Sequence, residues 1–357
     1  MYSRFQWFFF AGVCLKSFQR LEKIADCVTR SESRNSALVR LNGFWEVFDK
    51  DDDVLIVISA DPDALASAMA VKRLLRYRVR NVTIGNPHEI RRLNNLEMLK
   101  RLRLPVERLQ NLKPADYTKK VLLDSQPFHH PTFEKFKFDA VIDHHPVTED
   151  WDAKFIDIRP NYGALSSIMV EYLRAAGVKP SAALATALFY GIKVDTQNFE
   201  KSSLLADGIS FRYLFNLANR NLVRKFELTD LRLSELKYFK TALNEFKVRK
   251  GKAYVHVGRV WTPDVLVIIA DFLNHVDQFD WVVVSGVHGE RLVVIFRCDG
   301  YRKNAGNFAN RIFGKLGLAG GHKEAARAEV PLKNFDFPDS HEFTTQSLIN
   351  MATVHDK

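Results

Sequence analysis

Short apolar runs recur through the first half of the chain, at Val54–Ile58, Val79–Ile84, Val121–Leu123 and Ala140–Ile142. Between them lie Ala64–Arg76 and Leu93–Leu102, where apolar residues return every three or four positions. The first pattern predicts buried strands and the second amphipathic helices. Strands alternating with helices predict an α/β domain built on a mostly parallel sheet. Further helices are expected over Ala164–Ala175, Ala182–Tyr190, Ser203–Ala218 and Asp230–Phe246. The character changes at "KVRKGKAYVHVGRV", where Gly251 separates two short strands. "FDWVVVSGVHGERLVVIFRCDG" then reads as a hairpin turning near His288 and Gly289, with a helix after Asn304. The expected organisation is an N-terminal, mainly helical extension over 1–45, an α/β domain over 46–246, a smaller α/β domain over 247–335 and a polar tail over 336–357.

Composition narrows the class. With 357 residues, 46% of them hydrophobic, the chain is long enough for two cores. Lys and Arg number 52 against 42 Asp and Glu, and the net charge of +10 favours anionic partners. Cys14, Cys27 and Cys298 share no metal-ligand or redox spacing, which points to a reducing, cytoplasmic setting rather than a disulfide framework. The apolar stretch Trp7–Leu15 is too short to span a bilayer and lacks the flanks of an export signal, so no membrane partner is expected.

Candidate chemistry sits where the strands end. Parallel strands deliver their C-terminal ends to one edge, and ligands bind in the crevice there. Asp61 and Asp63 follow "VLIVISA", Asp124 follows "VLL", Asp143 follows "AVI", and Asp195 ends the apolar run "YGIKVD". Gathered carboxylates repel one another unless cations compensate. Carboxylate and imidazole ligands suit Mn²⁺ or Mg²⁺. Asp63 by itself reads as a helix cap; with the other acids and Asp143-His144-His145 it reads as part of a metal centre. Neighbouring side chains on an extended segment point in opposite directions, so His144 and His145 are expected to serve different roles.

"DPDALAS" at Asp61–Ser67, "LLDSQ" around Asp124, "VIDHHP" at Val141–Pro146, "GIKVDTQNF" around Asp195 and "GGHKEAARAEV" at Gly320–Val330 occur in a telling order. Together they resemble the DHH phosphoesterase family with its DHH-associated C-terminal domain, over roughly Val54–Leu332. The chain looks most like the short oligoribonuclease and pAp phosphatase branch. The resemblance implies a two-metal, usually Mn²⁺-dependent phosphoesterase with its active site in the cleft between domains. It implies Asp124 as a carboxylate shared by both ions, Asp63, His144 and Asp195 completing one site, Asp61 belonging to the other, and His145 facing the substrate phosphate. It also implies substrate contacts from Arg297, Gly320, Gly321 and His322. The substrates it suggests are short single-stranded oligonucleotides, linear dinucleotides or 3′,5′-nucleoside bisphosphates, and it leaves a homodimer open.

The chain departs from the family pattern in places. The family's metal-binding His, four residues before the first Asp, is Val57 here; Ala60 replaces a proline and Arg327 a glycine. His129 and His130 follow the Asp124 loop, near enough in sequence to serve the depleted site, though ordinary loop histidines are the preferred reading. "DKDDD" at Asp49–Asp53 precedes its strand and reads as a solvated turn, and the basic run Lys72–Asn81 as a solvated helix face. Two alternatives stand beside the hydrolase: a nucleotide-binding or sensory protein with weakened catalysis, and an inorganic pyrophosphatase.

Overall fold

A computed structural model of the chain describes residues 35–147, 149–200, 205–335 and 343–354, which fall into two compact units meeting between Thr229 and Asp230. In the first unit six strands form one parallel sheet: β1 (Asp53–Ile58), β2 (Asn81–Asn86), β3 (Glu107–Arg108), β4 (Lys119–Leu123), β5 (Ala140–Asp143) and β6 (Phe155–Ile158). Their order is β3-β2-β1-β4-β5-β6. The chain moves outward from β1 in one direction, then returns to β4 on the other side. The order therefore reverses between β1 and β4, and the crevice at that reversal lies where Asp61 and Asp124 leave their strands.

Alternation along β1 sorts its side chains. Val54, Ile56 and Ile58 join the large core against the helices, while Leu55 and Val57 face the opposite side. The helices are α1 (35–45), α2 (Pro62–Leu74), α3 (Leu93–Leu102), α4 (Leu165–Ala175), α5 (Ala182–Asp195), α6 (Leu205–Phe215) and α7 (Arg220–Glu227). Leu41, Leu65, Met98, Ile168, Leu188, Leu214 and Phe226 carry each of them, in order, into that core. The other face is covered by Leu109, Phe133 and Phe138 from irregular connections. Helix α5 runs past its expected end at Tyr190, because Gly191 is accommodated inside it, and so Asp195 is a helical residue.

The second unit is a mixed six-stranded sheet of order β11-β12-β10-β9-β8-β7. Its strands are β7 (Lys247–Arg249), β8 (Lys252–Arg259), β9 (Trp281–His288), β10 (Arg291–Cys298), β11 (Leu318–Gly321) and β12 (Ala325–Pro331). Only β8 and β9 pair in parallel. Helices α8 (Leu236–Glu245) and α9 (Asp264–Asn274) pack on one face through Tyr238, Ala242, Leu266 and Ile269. Helices α10 (Ala305–Phe313) and α11 (Thr345–Val354) pack on the other through Phe308, Phe313, Leu348 and Ile349.

Three expectations are redrawn. The units divide after Thr229, not near 246, because α8 buries Tyr238 and Ala242 against the second sheet. The C-terminal segment is not simply a polar tail: Phe343, Leu348, Ile349 and Ala352 are buried in the second core. At the other end, 1–34, with Trp7–Leu15, Cys14 and Cys27, lie outside the described residues, and 35–45 form a helix built into the first core through Leu41 and Phe44. No helix among the described residues is long and apolar enough to cross a membrane.

Candidate metal centre

Asp61 is the N-cap of α2, its Oδ1 accepting from the Ala64 amide at 2.8 Å. Asp63 caps a different helix. Its two oxygens accept from the amides of Leu165 at 2.6 Å and Ser166 at 2.8 Å, the first N–H groups of α4, whose own N-cap is the silent Ala164. A carboxylate belongs there, since the exposed amides at a helix start carry partial positive charge. Asp124 leaves β4 in the left-handed region at φ +58, a conformation Asp tolerates better than most residues and one that recurs at functional sites. Asp195 comes from the last turn of α5.

Three of these acids, Asp63, Asp124 and Asp195, converge on one imidazole. His144 Nε2 lies 3.0 Å from Asp195 Oδ2 and 3.3 Å from Asp124 Oδ1. Its Nδ1 donates to the backbone oxygen of Tyr162 at 3.0 Å, so in the neutral ring Nε2 has no proton to give. Buried Asp124 Oδ1 and His144 Nε2 then both lack a hydrogen-bond partner. Either a proton or a cation must sit between them. Ligand atoms of Asp63, His144 and Asp195 all lie within 4.8 Å of one another, as do those of Asp124, His144 and His145. Oxygen and imidazole donors gathered at that spacing fit a hard or borderline divalent ion.

The charges tell the same story. Burial, reinforced by Asp124, pushes the Asp61 carboxyl up to about 7. Burial and then the Asp124 and Asp195 charges hold Asp63 well above the usual carboxylate range. Asp124 is raised by burial against the pull of His144. Burial works to lower His144, but Asp124 and Asp195 overcome it and push the ring up to about 12. Excess negative charge in the cluster is thus met by held protons, each of which a metal ion would displace.

His144 and His145 do not diverge. Their rings are 4.5 Å apart, because β5 ends at Asp143 and the chain bends at His145. Asp143, a strand-end acid like the others, is filled differently: it accepts from Gln126 Nε2, from the His144 amide and from His145 Nδ1, each at 2.8 Å. Burial raises its carboxyl, yet those donors overcome burial and hold it below the usual range. Asp143 therefore orients His145, and ligand atoms of Asp143, His145 and His129 also lie within 4.8 Å of one another, so His129, unlike His130, stands within reach of the cluster. Gln126, Tyr162 and Gly191 were not singled out from sequence. Gly191 carried one signal, a glycine inside a helical run; a β-carbon there would stand 2.5 Å from Ser166 Oγ and 2.9 Å from Asp63 Oδ1.

Other sequence candidates fall as follows. Val57 is fully buried among Leu55, Leu122, Phe133 and Val141. His129 accepts from the Gln126 amide at 3.2 Å with its ring 5.8 Å from that of His145, while His130 turns away to His88, Nε2 to Nε2 at 2.8 Å. The "DKDDD" turn is partly buried: Asp52 accepts from Thr118 Oγ1 at 2.7 Å, and Asp53 pairs with Arg80 at 3.1 Å. Within the second unit, Arg297 Nε donates to Asp271 at 2.6 Å and its Nη1 to the Phe296 oxygen at 3.0 Å. Gly320 and Gly321 end β11, and the turn to β12 begins with His322, whose oxygen accepts from the Gly306 amide at 2.9 Å. The turn crowds the start of α10: a β-carbon at Gly306 would stand 2.4 Å from the Gly321 oxygen. Arg327 pairs with Glu329 at 2.7 Å.

No family model matches the chain. An uncharacterized protein of Methanocaldococcus jannaschii is 31% identical over 283 residues, covering 79% of this chain and 58% of that protein. The A-adding tRNA nucleotidyltransferase of Geobacter sulfurreducens is 26% identical over 247 residues, 64% of this chain and 27% of the transferase. The chain thus spans less than two thirds of each of these curated relatives. Among solved structures, an exopolyphosphatase-related protein from Bacteroides fragilis matches with a TM-score of 0.63 at 15% identity, covering 90% of this chain and 96% of that one. That likeness establishes a shared fold.

Proposed function

We propose that the chain is a metal-dependent phosphoesterase of the DHH type that hydrolyses short oligonucleotides, linear dinucleotides or 3′,5′-nucleoside bisphosphates. One observation carries the reading: Asp124 Oδ1 and His144 Nε2 are buried 3.3 Å apart and need a proton or a cation between them, inside a cluster completed by Asp63 and Asp195. A fold shared with an exopolyphosphatase-related protein supports a phosphate substrate.

Asp63, Asp124, His144 and Asp195 would hold one divalent ion, Mn²⁺ first and Mg²⁺ second, and Asp61 with Asp124 a second. Such ions neutralise charge building on phosphoryl oxygens and ease deprotonation of water. The chain's own groups do the rest. Asp143 fixes the Nδ1 proton of His145 and raises the ring's affinity for a second proton, so that Nε2–H is available to donate to a phosphate oxygen. The amides of α4 keep Asp63 in place while its remaining lone pairs serve the ion. In the second unit, Arg297 has its Nη2 edge left for a substrate phosphate, with the "GGH" turn allowing close approach of backbone.

A second reading, a nucleotide-binding protein with weakened turnover, has one observation in its favour: Val57 puts an apolar, fully buried side chain where the family has a ligand. Assaying pAp, linear and cyclic dinucleotides and pyrophosphate with Mn²⁺ separates the readings. Turnover of pAp or a linear dinucleotide, lost in Asp124→Asn, upholds the phosphoesterase. Tight dinucleotide binding without turnover selects the second reading, and turnover of pyrophosphate alone overturns both.

A further inference from the structure

His129 is exposed on the loop that follows Asp124, and its ring lies 5.8 Å from that of His145 and at 90° to it. One of its ring nitrogens stands within 4.8 Å of ligand atoms of both His145 and Asp143. An imidazole at that spacing can serve in either of two ways, as a further ligand for an ion or as a hydrogen-bond donor to whatever His145 meets. Both rings hang on one buried residue. Gln126, 1% exposed, holds His129 through its amide, and through Nε2 it holds Asp143 Oδ2 at 2.8 Å and the His145 backbone oxygen at 3.1 Å. The two imidazoles are thus set against each other by a fixed side chain rather than left to open loops.

The hydrogen bond made by the His129 ring decides between the two. The Gln126 amide donates to His129 Nδ1 at 3.2 Å, and the His129 amide returns to the Gln126 oxygen at 3.0 Å, closing the turn over Pro127–His129. With Nδ1 accepting, the neutral ring carries its proton on Nε2. Neither nitrogen then offers a lone pair to a metal ion, since one is taken by an amide and the other holds the proton. His144 is the opposite case, with Nδ1 donating to Tyr162 and Nε2 bare. His145 also donates through Nδ1, to Asp143, so its Nε2 becomes a donor only when the ring takes a second proton. His129 donates from Nε2 without one.

We propose that His129 is a further substrate-contact residue, donating its Nε2–H to a non-bridging oxygen of the phosphate that His145 faces. The proposal rests on the phosphoesterase reading. Two donors whose rings are 5.8 Å apart can reach different oxygens of one phosphate, each met at about 2.8 Å. A donor fixed in advance is worth most where negative charge builds during the reaction, and phosphoryl oxygens are such a place. His130, the next residue, has no such access: its Nε2 faces His88 Nε2 at 2.8 Å.

Calorimetric titration of the full chain with Mn²⁺, and then of the Mn²⁺-loaded protein with inorganic phosphate, separates donor from ligand. His129→Ala should bind Mn²⁺ as the unmodified protein does and phosphate about tenfold more weakly, as expected for loss of one hydrogen bond to a charged group. His129→Gln, whose side-chain amide supplies an N–H, should recover part of that loss. His130→Ala, on the same loop, should bind phosphate normally. Weaker Mn²⁺ binding by His129→Ala would make the ring a ligand and overturn the proposal. Phosphate affinity unchanged in His129→Ala, an equal loss in His130→Ala, or no phosphate binding by the unmodified protein would overturn it as well. Hydrolysis of an aryl phosphodiester by the unmodified protein with Mn²⁺ tests the phosphoesterase reading separately: a chain that binds phosphate through His129 and leaves the ester intact keeps the contact and loses the reaction.

Discussion

His144 donates its Nδ1 proton to the backbone oxygen of Tyr162 at 3.0 Å, and this bond turns Nε2 onto Asp124 and Asp195. The Tyr162 segment is held on either side, by its own hydroxyl on Glu171 at 2.8 Å and by the Gly163 amide on Asp207 at 2.9 Å. Glu171 in turn belongs to a buried network with Arg159, Asp157 and Tyr172. Partners that orient a ligating histidine typically change metal affinity by about 10- to 100-fold. Tyr162→Phe removes one of these holds while the Tyr162 amide keeps its bond to the Arg159 oxygen at 3.0 Å, so Mn²⁺ affinity should fall by about tenfold, at the low end of that range. Unchanged affinity in a metal titration would show that the Asp207 and Arg159 contacts suffice.

Asp124→Asn should keep the fold, since Asn also tolerates the left-handed backbone that Asp124 adopts at φ +58. It should nonetheless lose bound Mn²⁺ and hydrolysis together, because an amide offers no charge to a cation. Near-normal turnover with Mn²⁺ would remove Asp124 from the centre.

Gly191→Ala places a methyl 2.5 Å from Ser166 Oγ and 2.9 Å from Asp63 Oδ1. Overpacking of this kind costs about 1–3 kcal/mol, and here it must displace either the start of α4 or the Asp63 carboxylate. Melting temperature and Mn²⁺ affinity should both drop. A stable variant with full metal affinity would mean that α2 and α5 separate more easily than their packing indicates.

Val57→His supplies in sequence, but not in space, the ligand that the DHH phosphoesterase resemblance calls for. The side chain would enter a pocket of Leu55, Leu122, Phe133 and Val141, where an imidazole without partners costs about 1–3 kcal/mol. Denaturant unfolding should show that loss, with no tightening of the weaker Mn²⁺ site. Tighter binding of a second ion would show that β1 can turn this position toward the cluster.

Stability and metal uptake should depend oppositely on pH. Asp61 is raised from 3.8 to about 7 in the fold, so its protonated form stabilises the native state: the contribution is full below 3.8 and is lost as pH rises through about 7. His144 works in the same direction at higher pH, and Asp143, held low, acts only below the usual carboxylate range. Metal-free protein should therefore become less stable from about pH 4 to 7. Mn²⁺ should bind more tightly at pH 8 than at pH 6 and release protons, seen as a buffer-dependent binding enthalpy. Proton-neutral binding would contradict the held protons.

The sequence by itself determined what depends on neighbours along the chain. Short apolar runs marked β1, β4 and β5, and apolar residues returning every three or four positions marked α2 and α3; a parallel sheet then sends Asp61, Asp124 and Asp143 to one edge. Tertiary structure decided what depends on residues distant in sequence. Asp63 caps α4 rather than α2 because Leu165 and Ser166, about a hundred positions on, bring bare amides to it. Asp143 came to orient His145 because the bend after β5 brings the ring back onto it, while Gln126 reaches it from another strand's loop. Val57 became core because Leu122 pairs beside it on β4 and Phe133 and Phe138 join the same apolar cluster on that face of the sheet. Helix α11 formed where the pattern was too sparse to announce itself, because the second sheet offers Leu348 and Ile349 a surface to bury against. A local pattern fixes which way a side chain points relative to its own backbone; which group it meets there is settled only when the elements pack.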